Sequence, residues 1–243
     1  MIPNLFLQEK NMKKILTTAA FLLAALMVLP AFAQTDDEGF VPLFNGKDMT
    51  GWRPCKRDFR PFELLAMTDA EREKFYADNQ AEFDAHWTIE NGELVNDGFG
   101  PYASTDKFYK DFELRLEYKT VPLADSGVYL RGNPQVQIWD TREEGGKWGI
   151  GADKGSGGLW NNKKHMRDPL VLADKPFGEW NTMRIIIRGN VVNVWLNGQQ
   201  TVKDTVMEYC WNHDIDMPEI GPIQLQTHGG EIRWRNIMIK ELK

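Results

Sequence analysis

Cysteine, histidine and positive charge are all scarce in this chain, and each scarcity excludes something. Two cysteines, Cys55 and Cys210, among 243 residues rule out a scaffold knitted by disulfides and any cysteine-rich zinc site. One bridge between them and two separate thiols both fit the sequence. The four histidines show no His-x-x-x-His spacing, and no Cys-x-x-Cys accompanies them, so no metal site is spelled out and a divalent metal stays an open question. Lys and Arg number 29 against 35 Asp and Glu, a net charge of −6, which argues against nucleic acid as a partner. Long apolar runs are also lacking, with one exception at the N-terminus.

That exception reads KKILTTAAFLLAALMVLPAFA over residues 13–33. A basic pair, an apolar stretch and a small-residue site at Ala31–Ala33 make the order of a secretory signal peptide. The run falls short of the roughly 20 apolar residues a spanning helix needs. The expectation is therefore cleavage after Ala33, no membrane span in the mature chain, and a periplasmic or secreted destination. Losing three lysines and one glutamate with the leader moves the net charge from −6 to about −8.

From Trp87 onward the chain consists of short β-branched and aromatic runs separated by Gly, Asn, Pro and Asp, the pattern of an all-β sandwich or barrel. Strands are expected in HWTIEN, GELVND, DFELRLEYKT, SGVYLRG, PQVQIWD, NTMRIIIRGN, VVNVWLNGQQ, GPIQLQTH and EIRWRNIMIKEL. Asn91-Gly92, Gly189-Asn190 and Asn197-Gly198 are two-residue hairpin signals. Residues 40–243 form the expected domain, with a helical insertion at 53–86. Within it Thr68 and Glu71 make a capping box ahead of a helix over 69–83, read as a surface addition without a chemical role. The glycine-rich stretch 145–176 is too long for an ordinary connection and marks a functional or mobile loop.

Strand parity sorts side chains by face. In PIQLQTH, Ile223 and Leu225 take one parity and Gln224, Gln226 and His228 the other. PQVQIWD puts Val136 and Ile138 against Gln135, Gln137 and Trp139, and GVYLR separates Val128 and Leu130 from Tyr129 and Arg131. Glutamine is unusual on a plain solvated face. Its amide offers donors and acceptors to sugar hydroxyls, while Trp139, Tyr129 and, from the glycine-rich loop, Trp160 suit the apolar face of a pyranose. DFELRLEY shows the ordinary case: Phe112, Leu114, Leu116 and Tyr118 bury, leaving Glu113, Arg115 and Glu117 as a charged exterior. The last strand changes apolar parity between Trp234 and Ile237, which predicts a β-bulge near Asn236. His228 ends a Gln-x-Gln-x-His strand before Gly229-Gly230 and is a functional candidate; His86, His165 and His213 carry less information.

Taken together, VPLFNGKDMTGW, KDFELRLEYKT, DSGVYLRG, QVQIWD, GEWNTMRIIIRGNVVNVWLNG and GPIQLQTHGGEIRWRNIMIKEL resemble the 3-keto-disaccharide hydrolase family, in the family's order, from about residue 40 to residue 242. The resemblance implies a two-sheet jelly-roll sandwich of the concanavalin A-like type, exported, acting on sugars oxidised at C3. Its Gln-His strand matches Gln224, Gln226 and His228, its Ser-Gly-x-x-x-Arg strand matches Ser126, Gly127 and Arg131, and its Glu-x-Gln-x-x-Asp strand is met by Gln137 and Asp140. Two positions depart from the family pattern: Asp125 stands where Asn is usual, and Gln135 where Glu is usual.

A ketone at C3 acidifies the C2 proton, so a base can generate an enolate that expels the group at C1, after which water adds. Such a site needs a base and a donor or cation for the enolate oxygen. The expected catalytic set is His228 as base and Arg131 as stabiliser, or a bound metal in its place, with Gln137 and Asp140; Tyr129, Gln135, Trp139, Trp160, Gln224 and Gln226 are expected to bind the carbohydrate. Ordinary glycoside hydrolysis on a retaining sandwich would need two carboxylates in a Glu-x-Asp strand, and no strand here has one. The competing reading is a non-catalytic carbohydrate-binding module.

Overall fold

The computed structural model describes residues 38–56 and 60–243; the signal peptide expected at residues 1–33 lies outside the described residues. The described strands are β1 (Val41–Pro42), β2 (Trp52–Cys55), β3 (Trp87–Glu90), β4 (Glu93–Asn96), β5 (Tyr102–Thr105), β6 (Phe112–Thr120) and β7 (Asp125–Tyr129). They continue with β8 (Gln135–Trp139), β9 (Asn181–Arg188), β10 (Val191–Leu196), β11 (Gln199–Val206), β12 (Gln224–Leu225) and β13 (Ile232–Glu241). Every ladder is antiparallel.

Two sheets result. The larger runs β11-β10-β9-β6-β13-β4-β3 with β1 alongside β13, and the smaller runs β2-β5-β12-β7-β8. Their facing parities meet in one core, in which Leu114, Leu116, Ile185, Val194 and Trp234 of the larger sheet lie against Val128, Val136, Ile138, Ile223 and Leu225 of the smaller. Each aliphatic side chain among them removed from water is worth about 1.5–3 kcal/mol, and a one-residue slip in any strand would expose its whole inward set. The hairpin at Asn91-Gly92 holds both residues at positive φ (53° and 80°), as a right-twisted two-residue connection requires. β13 loses register on β6 between Arg235 and Met238, where Asn236 has φ 51°: the bulge foretold by the parity change.

The outward set of β6 differs from expectation. Glu113 and Glu117 are covered rather than open, because Arg184 and Arg235 donate to them at 2.6 Å each while lying over Trp195 and Trp180. The arginine stems and the indoles together screen the carboxylates from water.

Two helices form the insertion, α1 (Pro61–Ala66) and α2 (Asp69–His86). The capping box forms: Thr68 N–H donates to Glu71 Oε2 at 2.8 Å, and Glu71 N–H to Thr68 Oγ1 at 3.3 Å. α2 continues to His86, three residues past the expected end at residue 83, and α1 was not anticipated. The insertion is also more than a surface addition. Leu64 and Tyr76 pack on Cys55, Tyr102 and Tyr129, covering the β2-β5 side of the smaller sheet's outer face and leaving its β7-β8 side open.

Candidate active site

The open part of that face is the floor of a cleft of about 560 Å³. Antiparallel pairing sets Asp125 opposite Trp139, Gly127 opposite Gln137 and Tyr129 opposite Gln135, and opposed residues share a face. Asp125, Tyr129, Gln135, Gln137 and Trp139 therefore all line the cleft, joined by Gln226 and His228 from the chain leaving β12. One wall comes from the glycine-rich loop through Lys147, Ile150, Trp160, Asn161, Lys163 and Arg167, and the other from Cys210, Trp211 and His213.

At the centre sits Asp125. His228 Nδ1 lies 2.6 Å from its Oδ2, Lys147 Nζ binds the same oxygen, and Gln137 Nε2 donates to Oδ1 at 2.7 Å. Gln137 Oε1 in turn accepts from Gln135 Nε2. Burial pushes the Asp125 carboxyl up, but hydrogen bonds and charges from His228 and Lys147 outweigh it and hold the group below the usual carboxylate range. An ionised carboxylate only accepts, so the proton of His228 sits on Nδ1, and Nε2 has no hydrogen-bond partner among the described residues. Glycine is required at 127 because a Cβ there would stand 2.8 Å from Val136 O and 3.3 Å from the Gln135 side chain. Trp139 and Trp160 meet edge to face at 5.1 Å, and Arg167 stacks on Trp160 at 4.7 Å, giving the cleft an aromatic end.

Three expected residues are elsewhere. Arg131 is 1% exposed and donates to Lys110 O, Gly189 O, Pro218 O and Asp111 Oδ1. β7 ends at Tyr129 and Arg131 has φ 53°, so strand alternation no longer governs its direction, and it ties loops together instead of reaching the cleft. Asp140 lies one residue past β8 and caps a turn, accepting from Leu123 N–H at 2.9 Å and from Arg142 through its backbone N–H, Nε and Nη2. Gln224 has the right parity but lies under the helical insertion, near Ser104 Oγ (3.4 Å) and hydrogen-bonded to the Cys55 thiol. Cys55 and Cys210 are not bridged to each other. Among the described residues, no group of three or more His, Cys, Asp and Glu side chains is placed to hold a metal ion.

Sequence reasoning missed Lys147, Lys163, Arg167, Trp211 and His213 as site residues, because loops carry no periodicity from which a direction can be read. Asp125 was within reach, since extending the parity of β7 two residues back from Gly127 places it beside Gln137.

An antiparallel two-sheet sandwich with a polar, aromatic-ended cleft on its smaller sheet defines the molecule as a jelly-roll-like β-sandwich with an enzyme-like site. The chain belongs to the 3-keto-alpha-glucoside-1,2-lyase-like domain family, whose model matches residues 39–240. It is 24% identical over 264 residues to the 3-keto-disaccharide hydrolase of Bacteroides thetaiotaomicron, covering 85% of this chain and 80% of that one. Among solved structures, a Parabacteroides distasonis protein provisionally described as a glycosyl hydrolase aligns with TM-score 0.60 and 22% identity over 85% of this chain and 95% of its own. A second such protein from that organism gives TM-score 0.54 and 27% identity over 65% and 91%.

Proposed function

We propose that this protein cleaves 3-keto-glycosides by removing the C2 proton, eliminating the group at C1 and hydrating the product. The observation that carries the reading is the cleft's acid–base inventory. Among the described residues lining it, Asp125 is the sole carboxylate, and it is already engaged by His228, Lys147 and Gln137. Hydrolysis by paired carboxylates needs two, one on each side of the scissile bond. An imidazole held by a buried carboxylate is instead suited to take a carbon-bound proton made acidic by a neighbouring ketone. His228 is the base through Nε2. Of the cations lining the cleft, Lys147, which shares Asp125 with His228, takes the role expected of Arg131 at the enolate oxygen. The amides of Gln135, Gln137 and Gln226 suit sugar hydroxyls, and Trp139 and Trp160 the apolar ring face.

The test is incubation with a 3-keto-glucoside while following aglycone release and the ultraviolet band of the enone. His228→Ala is expected to lower kcat about 10²–10⁴-fold while calorimetry still detects ligand, and Lys147→Met about 10²–10³-fold. No aglycone release by the parent protein, with or without added divalent metal, would falsify the proposal. Export belongs to the proposal on residues 13–33 alone, and a mature N-terminus at Gln34 is the check.

A further inference from the structure

The cleft contains a second imidazole that the scheme above leaves idle. His213 lines the same cavity as His228 but comes from the segment between β11 and β12. Its Nδ1 lies 2.9 Å from Oε2 of Glu208. Glu208 is buried, and its other contacts come from backbone N–H groups of Lys163 (3.0 Å), Lys164 (2.7 Å) and His165 (2.6 Å) and from His165 Nδ1 (3.1 Å). Burial pushes this carboxyl up, yet those donors hold it at about 2, so it is an acceptor at any working pH. The proton on Nδ1 is thereby assigned.

The other ring nitrogen, Nε2, has almost no exposed surface and no hydrogen-bond partner among the described residues, so a ligand reaches it only as the side chains lining the cleft shift around the ring. Leaving such a group unsatisfied is costly, and its presence in a native fold calls for a reason, of which a catalytic role is one. The segment leading to it, from Glu208 to Trp211, is tied down as well. Phe62 of α1 meets Tyr209 edge to face at 5.1 Å, Arg60 lies over Trp211 at 5.6 Å, and Asn162 Oδ1 accepts from Glu208 N–H at 3.2 Å. One cleft thus holds two imidazoles, each anchored at Nδ1 by a buried carboxylate and each with an Nε2 that has no partner among the described residues.

Resting on the elimination reading, we propose that His213 is the general acid of the reaction: as an imidazolium paired with Glu208, it gives its Nε2 proton to the leaving oxygen at C1. The steps balance. The C2 proton passes to Nε2 of His228, and the C2–H pair becomes the C2–C3 double bond of the enolate. Collapse of the enolate restores the C3 carbonyl, forms the C1–C2 double bond and breaks C1–O, whose pair stays on the leaving oxygen and takes the proton from His213. Water then adds to C1 and returns a proton to Nε2 of His213, while C2 recovers its proton from His228. Both rings end as they began, and the sum is 3-keto-glycoside plus water giving the free 3-keto sugar plus the alcohol.

A leaving-group acid has a signature that a structural residue lacks. His213→Gln retains an amide donor for Glu208 and removes the acid. With a 3-keto-glucoside of an alkyl alcohol or a second sugar, whose oxygen needs protonation, the variant is expected to lose about 100-fold or more in kcat. With the corresponding 4-nitrophenyl compound, whose leaving group departs as an anion, the loss should be under about tenfold. An equal loss on both substrates, or none on either, overturns the assignment while leaving the elimination reading intact. A parent protein that cleaves neither substrate removes that reading, and this one with it. Should His213→Gln fail to fold, Glu208→Gln, which withdraws the charge supporting the imidazolium, must reproduce the same leaving-group dependence.

Discussion

Asp140 and Asp125 are both carboxylates beside the smaller sheet, yet their neighbours give them opposite uses. Hydrogen bonds from Arg142, outweighing the effect of burial, hold Asp140 at about 2 against an ordinary 3.8. Because the folded value is depressed, its contribution to stability is complete above about pH 4 and is lost as the pH falls toward 2. The shift corresponds to about 2 kcal/mol. Asp140→Asn is therefore expected to lower Tm by roughly 4–8 °C at pH 7 and to flatten the stability profile between pH 4 and 2, with kcat on a 3-keto-glucoside unchanged. A drop in kcat without a drop in Tm would return Asp140 to the reaction. The same contrast explains what was readable at this scale: Gln137 and His228 line the cleft, as alternation leads one to expect, whereas Arg131 lies past the strand end and is itself left-handed, so alternation misplaces it.

Among the elements, the insertion changes the meaning of the sheet it covers. Its polar face runs from Cys55 through Tyr102, Gln224 and Tyr129 to Gln137, and α1 and α2 hide the first half, so the position of the helices sets where the cleft begins. Thr68 starts α2 through both bonds of its capping box. Thr68→Ala is expected to cost about 1 kcal/mol, read from the urea midpoint with the m-value unchanged; a loss below about 0.3 kcal/mol would show that packing of Tyr76 and Phe83 alone holds the helix. The capping residues were legible because a cap is a local pattern. The burial of Gln224 beneath the helices was not, because it depends on where a separate segment docks.

At the level of the whole molecule, the cysteines report compactness. Cys55 is fully buried and desolvation pushes its thiol up to about 12, so it should not react with a thiol reagent in the native protein at pH 8 and should react on unfolding in urea. Reductant should leave Tm unchanged, since no bridge joins Cys55 to Cys210; a Tm that falls with reductant would contradict this pairing state. The net charge of −6 contrasts with a cleft to which Lys147, Lys163 and Arg167 contribute three cations and Asp125 one carboxylate. That distribution suits an anionic enolate better than the composition of the chain suggests.

Alternation, turn chemistry and capping are local, so the amino-acid order by itself determined the β-sandwich, the hairpins, the bulge at Asn236, the start of α2 and the amide-lined sheet face. The tertiary structure alone decided which part of that face stays open, that Asp125 joins His228 to Lys147, and that His213 stands in the same cleft. Those outcomes depend on loops and docked helices far apart in sequence, whose directions follow from packing and hydrogen bonding rather than from any period in the chain.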